Sequence, residues 1–288
     1  MTATVSVRVP ATIANLGPGF DALGMAVSLH LEVEARHADE DSFRYEGEGS
    51  VPAGDTLIHQ AYREVCRLMG REPRPLAVHA RNRIPLARGL GSSSAALVAG
   101  AAVADALHGH TLGRDGVLRA CARLEGHPDN VAPAVLGGFT ASAGDPLVSV
   151  ALPTPASWRV LVAVPHFELL TSEARAALPN EFSRADAVFN LARSALMVAA
   201  VASGRADALR EACRDRLHQP YRAPLVPGLQ EAIDGALEAG ADAAFLSGAG
   251  PSVAAIARDD AVAGVRGALS RFAPRVFALA VAPGYEFI

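Results

Sequence analysis

The chain of 288 residues contains no lysine, so all 26 of its basic residues are arginine. That absence excludes a phosphate loop of the Walker type, which needs a lysine after its last glycine. Cysteine is scarce as well. Cys66, Cys121 and Cys213 lie far apart, with no CxxC or zinc spacing, and read as free buried thiols in a reducing compartment. Aromatic residues make up 5% of the chain, so a core must be built mainly from Ala, Val and Leu. There is no basic block longer than a few residues and the net charge is −4, which argues against a nucleic-acid surface. The start, MTATVSVRVP, has neither the charged opening nor the apolar run of a signal peptide. The stretch 95–107 is apolar but shorter than the ~20 residues that span a bilayer, and Asp105 interrupts it. These absences predict a soluble cytoplasmic protein with no membrane or nucleic-acid partner. The arginine-only usage, alongside abundant Ala, Gly and Pro, reads as coding bias from a GC-rich genome.

What is present alternates between strand and helix patterns. Strands are predicted at 5–9, 27–36 and 76–84, with a glycine turn at 15–24. Helical spacing runs over 55–68, then from the serines after Gly91 to 107, then over 113–124, with a short helix starting near Asp129. A strand pair fills 137–152. Pro153 and Pro155 punctuate the chain, which predicts two domains, 1–154 and 155–288. The second half begins with a buried strand at 158–165. Helices follow at 172–178, 183–203, 205–217 and 226–239, then strands at 243–246 and 253–257, a helix at 260–271 and a strand at 275–281. The class is α+β or α/β.

Residues 85–96, PLARGLGSSSAA, carry the clearest chemical signal. A glycine turn feeds a small-residue helix. The first four N–H groups of a helix lack internal partners and carry the positive end of its dipole. Glycine lets backbone approach a phosphate closely, and serine adds hydroxyls for phosphate or metal. The Rossmann fingerprint would need a third glycine where Ser94 stands, and Pro-Leu-Ala-Arg separates the strand from the first glycine. An ordinary serine-capped helix is the plainer alternative.

Three further segments stand out. RVPATIANLGPGFDALG (8–24) is a strand entering a glycine turn that holds Asn15 and Asp21, residues that also serve backbone groups in plain turns. EGHPDNVAPAVLGG (125–138) gathers Glu, His and Asp, but in no standard zinc spacing, and Pro128 breaks the local helix. A capping role for Asp129 or Asn130 fits equally. FLSGAGPSVAAI (245–256) is two strands around a glycine turn, as in any hairpin.

Together these segments resemble the GHMP kinases, which include galactokinase, homoserine kinase, mevalonate kinase and phosphomevalonate kinase. PLARGLGSSSAA is similar to their ATP-binding motif, a Pro and spacer before Gly-Leu-Gly-Ser-Ser-Ala. The other segments look like those of the homoserine kinase branch. The resemblance runs in order from residue 5 to about 257. It implies an α+β fold of two domains, a nucleotide-binding α/β domain and a ferredoxin-like α+β domain, with the site in the cleft between them.

The same resemblance implies the site. Pro85, Leu86, Ala87, Arg88, Gly89, Leu90, Gly91, Ser92, Ser93, Ser94 and Ala95 would wrap the ATP phosphates, supported by Gly248 and Gly250. Ser93 and Glu125 would hold Mg²⁺. Asn15, Asp21, His127 and Asn130 would line the substrate pocket. TSEARAALP (171–179) and HQPYRAPLVP (218–227) imply Thr171, Arg175 and Arg222 at a substrate carboxylate. The implied catalytic set is Asn15, Glu125, Asn130 and Arg175. Many related kinases carry an aspartate base near position 130, where Asn130 cannot usefully accept a proton. Thr56 also stands where the family usually has Asn on the adenine side. The implied reaction is direct transfer of the γ-phosphoryl group of Mg·ATP to the hydroxyl of L-homoserine, a step of threonine biosynthesis. A mevalonate-type kinase and a non-catalytic nucleotide-binding regulator are the rivals. Homoserine kinases are often dimers, which implies a homodimer here.

Overall fold

The computed structural model describes residues 4–51 and 55–288. The first half comprises β1 (Thr4–Ala14), β2 (Leu23–His37), β3 (Ser42–Gly47), α1 (Leu57–Leu68), β4 (Leu76–Asn82), α2 (Ser92–Leu107), α3 (Gly113–Glu125), α4 (Val131–Leu136), β5 (Phe139–Ala143) and β6 (Val148–Leu152). The second half comprises β7 (Trp158–Val164), α5 (Thr171–Ala176), α6 (Arg184–Ser203), α7 (Leu209–Ala212), α8 (Gln219–Arg222), α9 (Leu229–Glu238), β8 (Ala243–Leu246), β9 (Val253–Arg258), α10 (Val262–Leu269), β10 (Arg275–Leu279) and β11 (Glu286–Phe287).

β1 extends well past the alternating stretch that announces it. From Ala11 to Ala14 every residue is buried, so both faces are covered and the period-two signal vanishes. The strand pairs with β2 through a register shift between Pro10 and Ala11, whose partners are His30 and Val27, so Ser28 and Leu29 form a bulge in β2. The first sheet runs β11-β1-β2-β4-β3, with β5 joined to β2 and β6 to β5. Among the described residues, only β3 and β4 run parallel within it. Alanine-rich α2 is buried almost all round and packs on α1, α3 and β1. Its small side chains allow that close approach.

The second sheet has the order β10-β7-β9-β8. In chain order this is the interleaved βαββαβ arrangement of a ferredoxin-like unit. Leu161, Ala163, Leu246 and Ala255 face α9 and α10. Val160, Val162, Phe245 and Ile256 join one apolar cluster that continues through Ile13, Val98 and Met197. The chain tail returns to the first sheet, where Val7 pairs with Phe287.

One sequence expectation fails locally. No helix fills 205–217; a short turn at 206–208 and α7 occupy its start. Beyond them the Asp215 carboxylate accepts from the backbone N–H groups of Leu217, His218 and Gln219, which closes a turn instead. Among the described residues, α6 is long and apolar enough by length and composition to cross a membrane. Its Met197, Ala200 and Val201 lie in the core, and Asn190 donates to Pro18 O and Asp215.

Candidate active site

A cleft of about 230 Å³ opens where the two halves meet. The phosphate-loop candidate forms one wall. Gly91 caps α2 in the left-handed region, at φ 66°, and no side chain caps the helix. The serine-capped alternative is therefore not what the chain adopts. Instead Ser93 Oγ donates to Glu125 Oε1 at 2.7 Å, and Ser94 Oγ to the same oxygen at 3.0 Å. The first-turn amides of α2 remain free for an anion.

The loop's carbonyls are tied down from the second half. Leu169 N donates to Ala87 O at 3.2 Å, and Ser247 Oγ donates to Gly89 O at 2.7 Å. The Arg88 guanidinium donates to Pro165 O at 3.1 Å and His166 O at 2.7 Å, and pairs with Glu168 at 3.2 Å. Ala87, a non-glycine at φ 51°, marks the strain of this path. A Cβ on Gly89 would meet Ser247 O at 2.2 Å, and one on Gly91 would meet Thr12 Oγ1 at 1.9 Å. Both positions require glycine.

The opposite wall comes from the turn after β1. Asn15, Leu16 and Asp21 all have positive φ, at 69°, 48° and 56°. Asn and Asp tolerate that region; leucine does so at a cost. Asn15 holds the turn together. Its Oδ1 accepts from Asp21 N at 3.0 Å, and its Nδ2 donates to Gly248 O at 3.0 Å. Asp21 receives both Arg175 nitrogens, at 3.0 and 2.7 Å. Thr171 and Arg175 stand one turn apart on α5 and so face the cleft together.

Asn130 Oδ1 accepts from Thr12 Oγ1 at 2.8 Å, which directs its amide nitrogen to donate. His127 Nδ1 lies 2.5 Å from Asp129 Oδ1. Burial opposes charge on this imidazole, but the hydrogen bond and charge of Asp129 outweigh it and raise its pKa. Arg222 is 2% exposed and donates from Nε to Ala174 O and from Nη1 to Gly248 O. Burial and the charge of Arg175 push its pKa down to about 10, so it stays charged. The hydrogen bond to Asp21 holds Arg175 more firmly charged still.

Most of the sequence candidates thus meet around one cleft: Asn15, Asp21, Glu125, His127, Asn130, Thr171, Arg175, Arg222, Gly248 and the loop from Ala87 to Ser93. Ser94 and Ala95 lie buried beneath it. Gly250 packs against Leu246 rather than facing the cleft. Pro85 and Leu86 line a neighbouring cavity with Arg275 and Glu48. Asp129, which the sequence offers only as one of two possible helix caps, lines the cleft at 2% exposure. Its place between His127 and Asn130 was the available signal. A second, largely apolar cavity of about 180 Å³ adjoins Ser92 and Ser93, lined by Phe43, Tyr45, Thr56 and Ile58 among others. Thr56 caps α1 there, and its Oγ1 is 2.9 Å from His59 Nδ1.

A two-domain α+β fold with an uncapped glycine-serine helix start facing a charged cleft defines a small-molecule kinase of the GHMP class. The models for the GHMP kinases N terminal domain and the GHMP kinases C terminal match residues 56–138 and 197–275. A homoserine kinase of Thermus thermophilus is 60% identical over 280 residues, covering 96% of both chains. The crystal structure of homoserine kinase from Cytophaga hutchinsonii superposes with a TM-score of 0.90 at 29% identity, covering 99% of this chain and 97% of that one. Methanococcus jannaschii mevalonate kinase, at 12% identity and a TM-score of 0.72 over 97% of this chain and 99% of its own, shares the fold alone. The chain belongs to the homoserine kinase family of the GHMP kinases.

Proposed function

We propose that the chain phosphorylates the side-chain hydroxyl of L-homoserine with ATP, using the cleft between residues 1–154 and 155–288. The observation that carries this is the meeting of an anion-binding helix start with a paired aspartate and arginine. Homoserine is a zwitterion, and Asp21 and Arg175 offer one group of each sign. Their pair is about a third exposed, at 33% and 37%. Such a pair contributes at most about 1 kcal/mol. Hydrogen bonds to charged groups are each worth about 1.5–3 kcal/mol. A zwitterion can therefore open the pair, its ammonium going to Asp21 and its carboxylate to the Arg175 fork. Ligand atoms of Asp21, His127 and Asp129 lie within 4.8 Å of one another. A guanidinium already occupies Asp21, so this group suits an organic ammonium better than a metal ion. Arg222 is the second carboxylate anchor. Thr171 completes that wall.

The apolar cavity beside Ser92 and Ser93 suits the adenine, with the phosphates on the amides of α2. Glu125, Ser93 and Ser94 present oxygen donors of the kind Mg²⁺ prefers. Bound there, Mg²⁺ would neutralise phosphate charge. The homoserine oxygen forms the new bond to the γ-phosphorus as the bond to the bridging oxygen of ADP breaks, and its proton passes to a phosphoryl oxygen. Asn130 orients the hydroxyl. Phosphoryl transfer relies mostly on positioning and electrostatics, so a strong base is not required. Alignment contributes about 7–11 kcal/mol, against at most about 2 from a helix terminus. The homodimer and the cytoplasmic location belong to the same reading.

An ADP-release assay across L-homoserine, mevalonate and galactose tests it. Only homoserine should stimulate release strongly, since mevalonate lacks the ammonium and galactose lacks both charges. Equal stimulation by mevalonate would remove the ammonium site from the reading.

A further inference from the structure

His218 is fully buried just before α8, and no step of the transfer uses it. Its Nε2 lies 2.6 Å from Gly17 O. A carbonyl only accepts, so Nε2 carries the proton. On a neutral ring Nδ1 is then a bare acceptor, and it faces Arg222 Nη1 at 3.4 Å. Burial lowers the ring's pKa, consistent with a neutral imidazole. The nearest carboxylate, Asp215, is 3.6 Å from Nε2, but it accepts from three backbone N–H groups and the Asn190 amide. It fixes the backbone that carries the ring. Phe20 completes the arrangement. His218 stacks on it at 5.5 Å, and the guanidiniums of Arg175 and Arg222 lie over the same ring at 5.5 and 5.3 Å.

We propose that neutral His218 is a positioning residue for substrate carboxylate recognition. It acts through Arg222 and so rests on the reading of Arg222 as a carboxylate anchor. Nε of Arg222 is committed to Ala174 O, and Nη1 to Gly248 O and His218 Nδ1. Among the described residues Nη2 has no protein partner, and it is the nitrogen left for the cleft. Without the imidazole acceptor the guanidinium can rotate about its stem, and Nη2 loses its aim.

The test compares KM for L-homoserine, for L-homoserinol (CH₂OH in place of the carboxylate) and for ATP. The variants are His218→Leu, His218→Asn, His218→Gln and Arg222→Met. Asparagine keeps an acceptor near the Nδ1 position, whereas glutamine keeps a donor toward Gly17 without it. His218→Leu and His218→Gln should raise KM for homoserine about tenfold, a loss of roughly 1.4 kcal/mol. KM for homoserinol and ATP should barely move, and His218→Asn should restore most of the homoserine affinity. If His218→Leu does not fold, the Asn and Gln pair decides alone. A rise in KM for homoserinol equal to that for homoserine would overturn the proposal, as would an asparagine variant no better than glutamine. Arg222→Met separates the two claims. If it fails to discriminate homoserine from homoserinol, the carboxylate anchor itself is wrong. If it discriminates and the His218 variants do not, only the positioning role falls.

Discussion

His127 shows how a single side chain in this cleft can be read in two directions. Its ring is held by Asp129 at 2.5 Å, and that carboxylate raises its pKa against the opposing effect of burial. A histidine whose folded pKa is raised stabilises the fold fully below the unfolded value, about 6.5, and loses that contribution as pH rises through the folded value. The gap between the thermal midpoints of the wild type and His127→Asn should therefore be largest below about pH 6.5 and narrow as the pH rises above it. A gap that widens with rising pH would mean that the ring is not paired as an imidazolium. Asp21 and Arg175 carry the complementary lesson. The sequence offers each as a candidate charge in one cleft, where both lie, but their bond to each other is not legible there, because a contact between residues 154 positions apart leaves no local pattern.

At the scale of elements, neighbours hold the carbonyls of the candidate phosphate loop and leave its amides free. Gly91 is the pivot. At φ 66° an alanine costs about 1–2 kcal/mol in backbone strain, and its Cβ would also collide with Thr12 Oγ1, which anchors Asn130. Gly91→Ala should lower kcat/KM for ATP at least about tenfold and reduce thermal stability. An unchanged ATP dependence would show that the helix start does not bind phosphate. The loop and its helix were readable from PLARGLGSSSAA because glycine, serine and alanine have strong local meaning. The far end of β1 was not, since burial of both its faces removes alternation. The helix expected over 205–217 failed because the Asp215 carboxylate captures three backbone donors, an outcome that helix periodicity does not register.

Across the whole molecule, the two sheets share one apolar cluster, and β11 returns the tail to β1. Asn15 and Arg222 both donate to Gly248 O, which ties the β1 turn and α8 to the glycine turn after β8. Such continuity should give one cooperative unfolding transition. The sole tryptophan, Trp158, is 3% exposed in β7 and reports on the second half. Its fluorescence and the far-ultraviolet circular dichroism of the whole chain should lose signal at the same urea concentration. Separated midpoints would indicate halves that fold independently. What this joined architecture does in its cleft is tested by phosphorus NMR of the purified protein incubated with ATP, Mg²⁺ and L-homoserine. One new phosphomonoester signal, matching authentic O-phospho-L-homoserine and rising in step with ADP, is the expected result. ADP accompanied only by inorganic phosphate, or no ADP formation in response to homoserine, would contradict it.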